Sequence, residues 1–354
     1  METVVIPAKD LRGDLAMRWA EIQKHNPSLF SPFFRPEFTQ AVGTVRDNAF
    51  VAIVDGGAAF FPFQRNSLGF GRPIGGRVSD YHGLIAASDY KCDVASLMKD
   101  CRLRSWYFDH VPSDQSNFVR WRTLNAGSPV VDLDQSAPPG SSRLHSDLRR
   151  QWRRLERDFG QVEVELEVND PLILEKCLEW KSDQYHRTGL PDLFARPWAR
   201  SLAEVIAAKR GPEFSGILSV LRAGGRPVAV HFGMRSGSVC HYWFPAYDTQ
   251  FRYYSPGMLL LSEMISQGSK IGIKMIDLGK GDTEQKSKLA NRRVPLIEGV
   301  VANSPFVFWI AKSKVDVRES LQKHPTVKSI LSPAYRLYRR TNLGELAQRF
   351  WTAG

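Results

Sequence analysis

The feature that most constrains this chain is a group of three short β-rich runs, residues 216–222, 227–235 and 238–246, joined by Ala223-Gly224-Gly225-Arg226 and by Ser236-Gly237. Short glycine-containing links between such runs close hairpins, because glycine takes the positive φ that tight turns require. The three runs therefore form a meander. Upstream, Val162, Val164, Leu166 and Val168 alternate with Glu163, Glu165 and Glu167, the pattern of a half-buried strand. Apolar spacing over 171–186 and 197–209 is helical, with the Thr188-Gly189-Leu190-Pro191 turn between. Downstream, Ser255-Pro256-Gly257 opens a helix over 258–269, and 274–278 is a strand ending in Gly279-Lys280-Gly281-Asp282. More strand is predicted from 297 to 310. The order is strand, two helices, three-stranded meander, helix, strand.

The first half carries a shorter version of this order. Helical spacing is found over 11–25 and 36–45, a hairpin at 50–54 and 58–64 turns around Asp55-Gly56-Gly57, and a helix near 94–100 leads to a strand at 105–108. Aligning meander, helix and strand suggests a divergent internal duplication; two unrelated α+β domains are the alternative. A length of 354 residues suits two domains. The boundary is placed in the linker 136–142 (Ser136-Ala137-Pro138-Pro139-Gly140-Ser141-Ser142), giving an N-terminal domain 1–135, a C-terminal domain 143–311 and a tail 312–354. After the linker, Leu148, Trp152, Leu155 and Phe159 recur at helical spacing while Arg149, Arg150, Arg153, Arg154 and Arg157 fill the other positions, so this helix has a basic outer face.

Charge narrows the partners. Lys and Arg total 48 against 37 Asp and Glu, a net +11, which points to an anionic partner: phosphate, an acidic membrane face or nucleic acid. No zinc, RNP or helix-turn-helix signature accompanies the charge. The tail holds nine basic residues against Asp316, Glu319 and Glu345, with Leu331, Tyr335 and Tyr338 among them, a composition suited to an anionic membrane surface or a phosphorylated ligand; a packed C-terminal helix is the alternative. The apolar stretches at 258–261 and 305–311 fall short of the roughly 18 residues of a membrane span. Glu2, Lys9, Asp10 and Arg12 interrupt any signal-peptide core, so a cytoplasmic chain is expected, peripheral at the inner membrane face if the tail binds there. Cys92, Cys101, Cys177 and Cys240 lack zinc or disulfide spacing and read as buried thiols; no metal is expected.

Several motifs resemble the GNAT acyltransferase superfamily, in particular its cellulose-biosynthesis (CelD/BcsL-type) branch, which is similar to two fused GNAT domains. They are the run from Trp180-Lys181 through His186-Arg187-Thr188-Gly189, His231-Phe232-Gly233, Tyr247-Asp248, Tyr254-Ser255-Pro256-Gly257-Met258 and Asp277-Leu278-Gly279-Lys280-Gly281-Asp282, with Ser31-Pro32-Phe33-Phe34 and Ser79-Asp80-Tyr81-His82-Gly83 in the first half. The resemblance implies an α+β fold of tandem GNAT-like domains, each a mixed, mostly antiparallel sheet flanked by helices. It also implies an acetyl-CoA or other acyl-CoA donor and an amine or hydroxyl acceptor on a saccharide or lipid-linked precursor. Fem-like ligases share the doubled plan and use charged tRNA, which keeps an aminoacyl-tRNA-dependent transferase open; an anion-binding adaptor with a decayed site is the non-enzymatic alternative.

Site candidates follow from what acyl transfer needs. A CoA pyrophosphate requires N–H donors and positive potential, which the first turn of a helix supplies. Ser255 as N-cap, Pro256, Gly257, Met258 and Leu259, with Arg252 nearby, are the candidates, against a merely well-capped helix. A base is needed for the acceptor proton. Asp248, Asp277 and His231 are candidates; a turn residue, a cap on the glycine-rich turn and a core histidine are their respective alternatives. Lys181, Gln184 and Arg187 share a helix face that would line an acceptor groove or be an ordinary polar surface. Lys286 would hold an anion or stay solvated, and Gln285 stands where the family commonly has tyrosine. Asp80, Tyr81 and His82 would bind a sugar by stacking and hydrogen bonding, or form an Asp-held turn.

Overall fold

The computed structural model describes residues 1–135, 140–281, 283–304 and 308. The expected linker at 136–139, Asp282, the strand residues beyond 304 apart from 308, and the basic tail lie outside the described residues. The chain divides into two compact units: one of 1–28, 42–126 and residues from 295, the other of 29–41 and 127–294. The units are not consecutive stretches of sequence.

In the second unit the meander forms as strands Ser215–Ala223, Arg226–Ser236 and Val239–Tyr247, with Ala223 opposite Arg226 and Ser236 opposite Val239. Val162–Glu165 adds antiparallel to one side. On the other side Met275–Asp277 runs parallel to Val239–Tyr247, and residues 130–132 of the strand Arg122–Asp132 close the sheet antiparallel to it. The helix Pro256–Gln267 makes the crossover that a parallel pair demands. It shares a core with the helix Ser142–Phe159, in which Leu148, Leu155, Tyr242, Leu260 and Met264 are buried. Pro171–Thr188 and Pro197–Ala207 pack on strands Val239–Tyr247 and Ser215–Ala223.

The first unit repeats this plan. Strands Thr3–Pro7, Ala49–Val54, Ala59–Arg65 and Phe70–Pro73 pair antiparallel in turn. Phe70–Pro73 then runs parallel to Ser105–Pro112, which pairs antiparallel with residues 296–302 of Arg292–Ala302. The helix Val94–Asp100 makes the crossover. Both sheets thus have the same succession of pairings, the same single parallel step and a helix at that step, which is the duplication expected from element order. Each sheet is mixed, mostly antiparallel and flanked by helices. In each, the closing strand comes from the other half of the sequence.

Some element limits differ from the sequence expectation for local reasons. The basic helix starts earlier, where the Ser141 hydroxyl accepts the Leu144 amide at 3.2 Å. The strand expected to 168 ends at Glu165, since Glu167 adopts φ of +61°, outside β space. Beyond the glycine-rich turn a helix, Glu284–Leu289, precedes the last strand, which starts at Arg292 and ends at Ala302. Thr3–Pro7 and Arg122–Asp132 are strands that carry no hairpin signal in the sequence. Cys92 is half-buried, in contrast to the other three cysteines.

Residues 29–41 belong to the second unit. Phe33, 1% exposed, packs edge-on against His241 (ring centroids 4.8 Å), Trp243 (5.7 Å) and Phe38 (4.9 Å). Truncating a buried phenylalanine typically costs about 3–5 kcal/mol. Phe33→Ala should therefore lower the unfolding free energy from urea denaturation by an amount in that range, although the chain on either side of residues 29–41 belongs to the first unit; an unchanged value would show that the segment does not hold the meander.

Candidate active site

The parallel pairing beside the meander is short. It runs from Val239–Met275 to His241–Asp277 and stops, while the longer strand continues to Tyr247. At the same level the register with the neighbouring strand shifts, since Phe232 faces Phe244 and Met234 faces His241. Tyr242 and Trp243 thus stand opposite Gly233 alone, a β-bulge, which bends a strand and re-aims its backbone groups. Gly233 is required there: a Cβ would lie 2.2 Å from the His241 carbonyl oxygen and 2.6 Å from His231 Nε2. Past the bulge, residues 242–247 have a backbone edge outside the parallel ladder.

Asp277 sits where the two strands part and is fully buried. Its Oδ1 accepts the Ser128 hydroxyl at 2.6 Å and the Gly279 amide at 2.8 Å, and His241 Nδ1 lies 3.8 Å away. Gly279 turns with φ of +74°, which glycine adopts without strain. Asp277 is thus the cap of the glycine-rich turn. His231 is also fully buried, with its ring stacked on Tyr242 at 4.4 Å. Neither ring nitrogen has a hydrogen-bond partner among the described residues, and burial together with nearby His241 pushes its pKa down to about 3. Asp248 lines a cavity of about 440 Å³, with Lys176, Trp180, Asp183, Arg226 and Tyr247. Its carboxylate pairs with Arg226 at 2.6 Å and caps the Gln250 amide at 3.0 Å. Asp248 and Asp277 do not come together. Asp277 lies beside His241, seven residues before Asp248 on a strand rising roughly 3.3 Å per residue.

The helix start differs from a side-chain-capped one. Ser255 occupies the N-cap position, but its φ is +53° and its side chain makes no cap bond. The preceding 3-10 turn Thr249–Tyr254 delivers the chain in that left-handed conformation. The amides of Met258 and Leu259 bond the Ser255 carbonyl at 2.9 and 3.1 Å, which leaves fewer open donors than a bare first turn would have. Pro256 and Leu259 are buried in the core, and Arg252 is exposed over the Tyr253 ring. A Cβ on Gly257 would have the Tyr247 ring at 3.8 Å as its one neighbour within 4 Å, so the backbone here is approachable.

Two lysines bond backbone carbonyls here, Lys181 at the open strand edge and Lys286 at the glycine-rich turn. Lys181, half-buried on Pro171–Thr188, donates to the Pro245 carbonyl at 3.1 Å. One turn earlier, Cys177 donates to the Phe244 carbonyl, and burial holds its thiol up at about 12. Lys286, on Glu284–Leu289, donates to the carbonyls of Gly279 (3.2 Å) and Lys280 (2.6 Å) and is half-buried rather than solvated. Burial first, and Lys286 second among the lowering influences, bring the Lys181 ammonium down to about 8. Gln184 is half-buried and Arg187 exposed.

The first-half candidates are placed in the other unit and do not form an exposed loop. Tyr81 is fully buried and has no ring face open for sugar stacking. The Ser79 hydroxyl donates to its carbonyl at 2.9 Å, and His82, also buried, has a ring nitrogen 2.8 Å from the Asp109 carboxylate. The polar composition that marked this loop as functional instead satisfies a buried turn; Asp80 is half-buried. Trp180 and Gly233 stand in runs that resemble the GNAT family and Arg226 in a hairpin link, but no local pattern assigns Trp180 and Arg226 to the cavity or Gly233 to a bulge.

His231 yields a pH prediction. Its folded pKa lies below the unfolded value near 6.5, so the unfolded chain binds the proton first. This contribution to stability is complete above pH 6.5 and is lost as pH falls toward about 3, by at most about 1.4 kcal/mol per pH unit. The urea midpoint of wild type should fall relative to that of His231→Phe as the pH drops from 7 to 4; parallel curves would show that the imidazole does not titrate against burial.

Comparison with known proteins bears on this geometry. Residues 142–287 match a family model described as an acetyltransferase (GNAT) domain. No curated protein matches the sequence significantly. Among solved structures, the chain is similar to FemX, with 11% identity, a TM-score of 0.59 and coverage of 88% of this chain and 100% of that one. It is also similar to a C-terminal DUF2156 domain, from Agrobacterium fabrum, of a protein named as a lysylphosphatidylglycerol synthetase, at 13% identity and TM-score 0.57, covering 87% and 96%. The L-PGS structure from Bacillus licheniformis follows at 12% identity, TM-score 0.50 and coverage of 86% and 95%. At such identities the likeness is one of fold. Residues 142–287, which hold the meander, the bulge and the crossover helix, thus match a GNAT acetyltransferase domain, and that match supports a transferase.

Proposed function

We propose that this protein transfers an acyl group, acetyl in the simplest case, from a CoA thioester to an amine or hydroxyl on a saccharide or lipid-linked polysaccharide precursor, as the cellulose-biosynthesis branch implies. The observation that carries this is the strand Val239–Tyr247, whose edge leaves its parallel partner at His241–Asp277 and runs on to Tyr247 beside Gly257. An extended pantetheine arm can add to such an edge as a strand would. The start of the helix Pro256–Gln267, with Arg252 nearby, offers the positive end of a dipole to phosphates. Asp248, in the cavity with Trp180 and paired with Arg226, is the proton acceptor in this reading. Asp277 and His231 act through the strand end and bulge that they hold. The basic tail would meet a lipid-linked acceptor at an anionic membrane face; among the described residues, no helix is long and apolar enough to cross a membrane.

The likeness to FemX over 88% of this chain favours a second reading, an aminoacyl-tRNA donor. Exposed arginines on Ser142–Phe159 suit either polyanion. Calorimetry with acetyl-CoA, CoA and an aminoacyl-tRNA mimic separates the two, and binding of none of them at millimolar concentration would remove both.

Gly257→Asp is the site variant to pair with it. A carboxylate in the first turn favours the helix dipole, so the fold should hold, while repulsion of phosphate should cut CoA affinity by about tenfold or more. Undiminished binding would place the phosphates elsewhere. Asp248→Asn should slow CoA-thiol release in the presence of an acceptor by roughly 100- to 10,000-fold. A near-normal rate would assign the proton transfer to another group.

A further inference from the structure

Lys181 is an unusual lysine. It is half-buried, makes no ion pair among the described residues, and donates its hydrogen bond to the Pro245 carbonyl, two residues before the end of the open-edged strand. The ionisable groups that face it are Cys177 and Tyr185 on its own helix and Lys286 from Glu284–Leu289. No carboxylate compensates its charge. A lysine amine becomes nucleophilic when desolvated and set beside a second cation, and both conditions hold here.

We propose that Lys181 is itself an acyl acceptor, a self-acylation site of this protein. The inference rests on the reading that an acyl-CoA lies along residues 242–247. In the step, the neutral Nζ lone pair attacks the thioester carbonyl carbon and the C–S bond breaks. CoA leaves as thiolate and takes up the proton shed by the amine, giving CoA-SH and an Nε-acyl-lysine. The amide retains one N–H, enough to keep the bond to Pro245. The product has lost the positive charge and carries an acyl group beside the strand edge at Pro245, so the modified protein should be less open to an external acceptor.

The ammonium pushed down to about 8 sets the scale of the expected selectivity. At pH 8 the neutral fraction of Lys181 exceeds that of an ordinary lysine by roughly a hundredfold. The test incubates the full chain with acetyl-CoA and no acceptor at pH 7 to 9.5, with intact-mass and peptide mass spectrometry as the readout and calorimetry of acetyl-CoA binding alongside. One acetyl group should appear on Lys181 well ahead of exposed lysines such as Lys288, with a half-maximal rate near pH 8. Lys181→Arg, checked for an unchanged melt, should abolish that early modification. Lys286→Gln, which keeps a donor for the turn carbonyls but removes the charge, should move the half-maximal rate to higher pH. Acetic anhydride, which needs no CoA site, should show the same preference for Lys181. Acetyl-CoA binding with no preference for Lys181 would overturn the inference and leave the acyl-CoA reading standing. Failure to bind acetyl-CoA would overturn both.

Discussion

The second unit depends on one buried carboxylate. Asp277 gathers the Ser128 hydroxyl, the Gly279 amide and the neighbourhood of His241 at the point where two parallel strands separate. A buried carboxylate persists only when its lone pairs are satisfied. Here the partners come from two neighbouring strands and a turn, so satisfying the carboxyl group also fixes where the ladder stops. The chain leaves the sheet through Gly279, and Lys286 returns to bond the carbonyls of that turn. The open edge of Val239–Tyr247 is the direct result, and the bulge at Tyr242 and Trp243 lies at the same level. A cleft made by parting strands needs no loop insertion, only an interaction that prevents further pairing.

The two sheets share a succession of pairings, yet each takes its closing strand from the other half of the sequence. An antiparallel strand is bound by its backbone, and backbone groups carry no record of which half they came from. Residues 29–41 follow the same principle through side chains, since Phe33 finds the aromatic surface of His241 and Trp243 in the second unit. Ser31-Pro32-Phe33-Phe34, which resembled a family motif, is therefore a packing element of the unit that carries the acetyltransferase match.

The electrostatics of the second unit concern uncompensated positive charge. Arg226 neutralises Asp248 at the cavity, and the arginines of Ser142–Phe159 are exposed or paired locally, as Arg150 is with Asp147. Lys181 is different: its surroundings lower the cost of losing the proton instead of supplying an anion. Sites that handle protons or acyl groups commonly arise where burial and like charge act together.

Several features were determined by the sequence alone. Glycine-containing links dictated the hairpins, alternation dictated the sheet faces, and helical spacing dictated the basic helix and the crossover helix, because each depends on residues within a few positions of one another. The GNAT-like order of elements was legible for the same reason. Tertiary structure decided the rest. Nothing near Asp277 in sequence announces Ser128, nothing near Lys181 announces Pro245 or Lys286, and Tyr81 sits in a polar run that looks exposed until the fold buries it. The closing strands and the Phe33 segment were hidden likewise, since strand pairing and aromatic packing are selected by contacts more than a hundred residues apart, which no local pattern encodes.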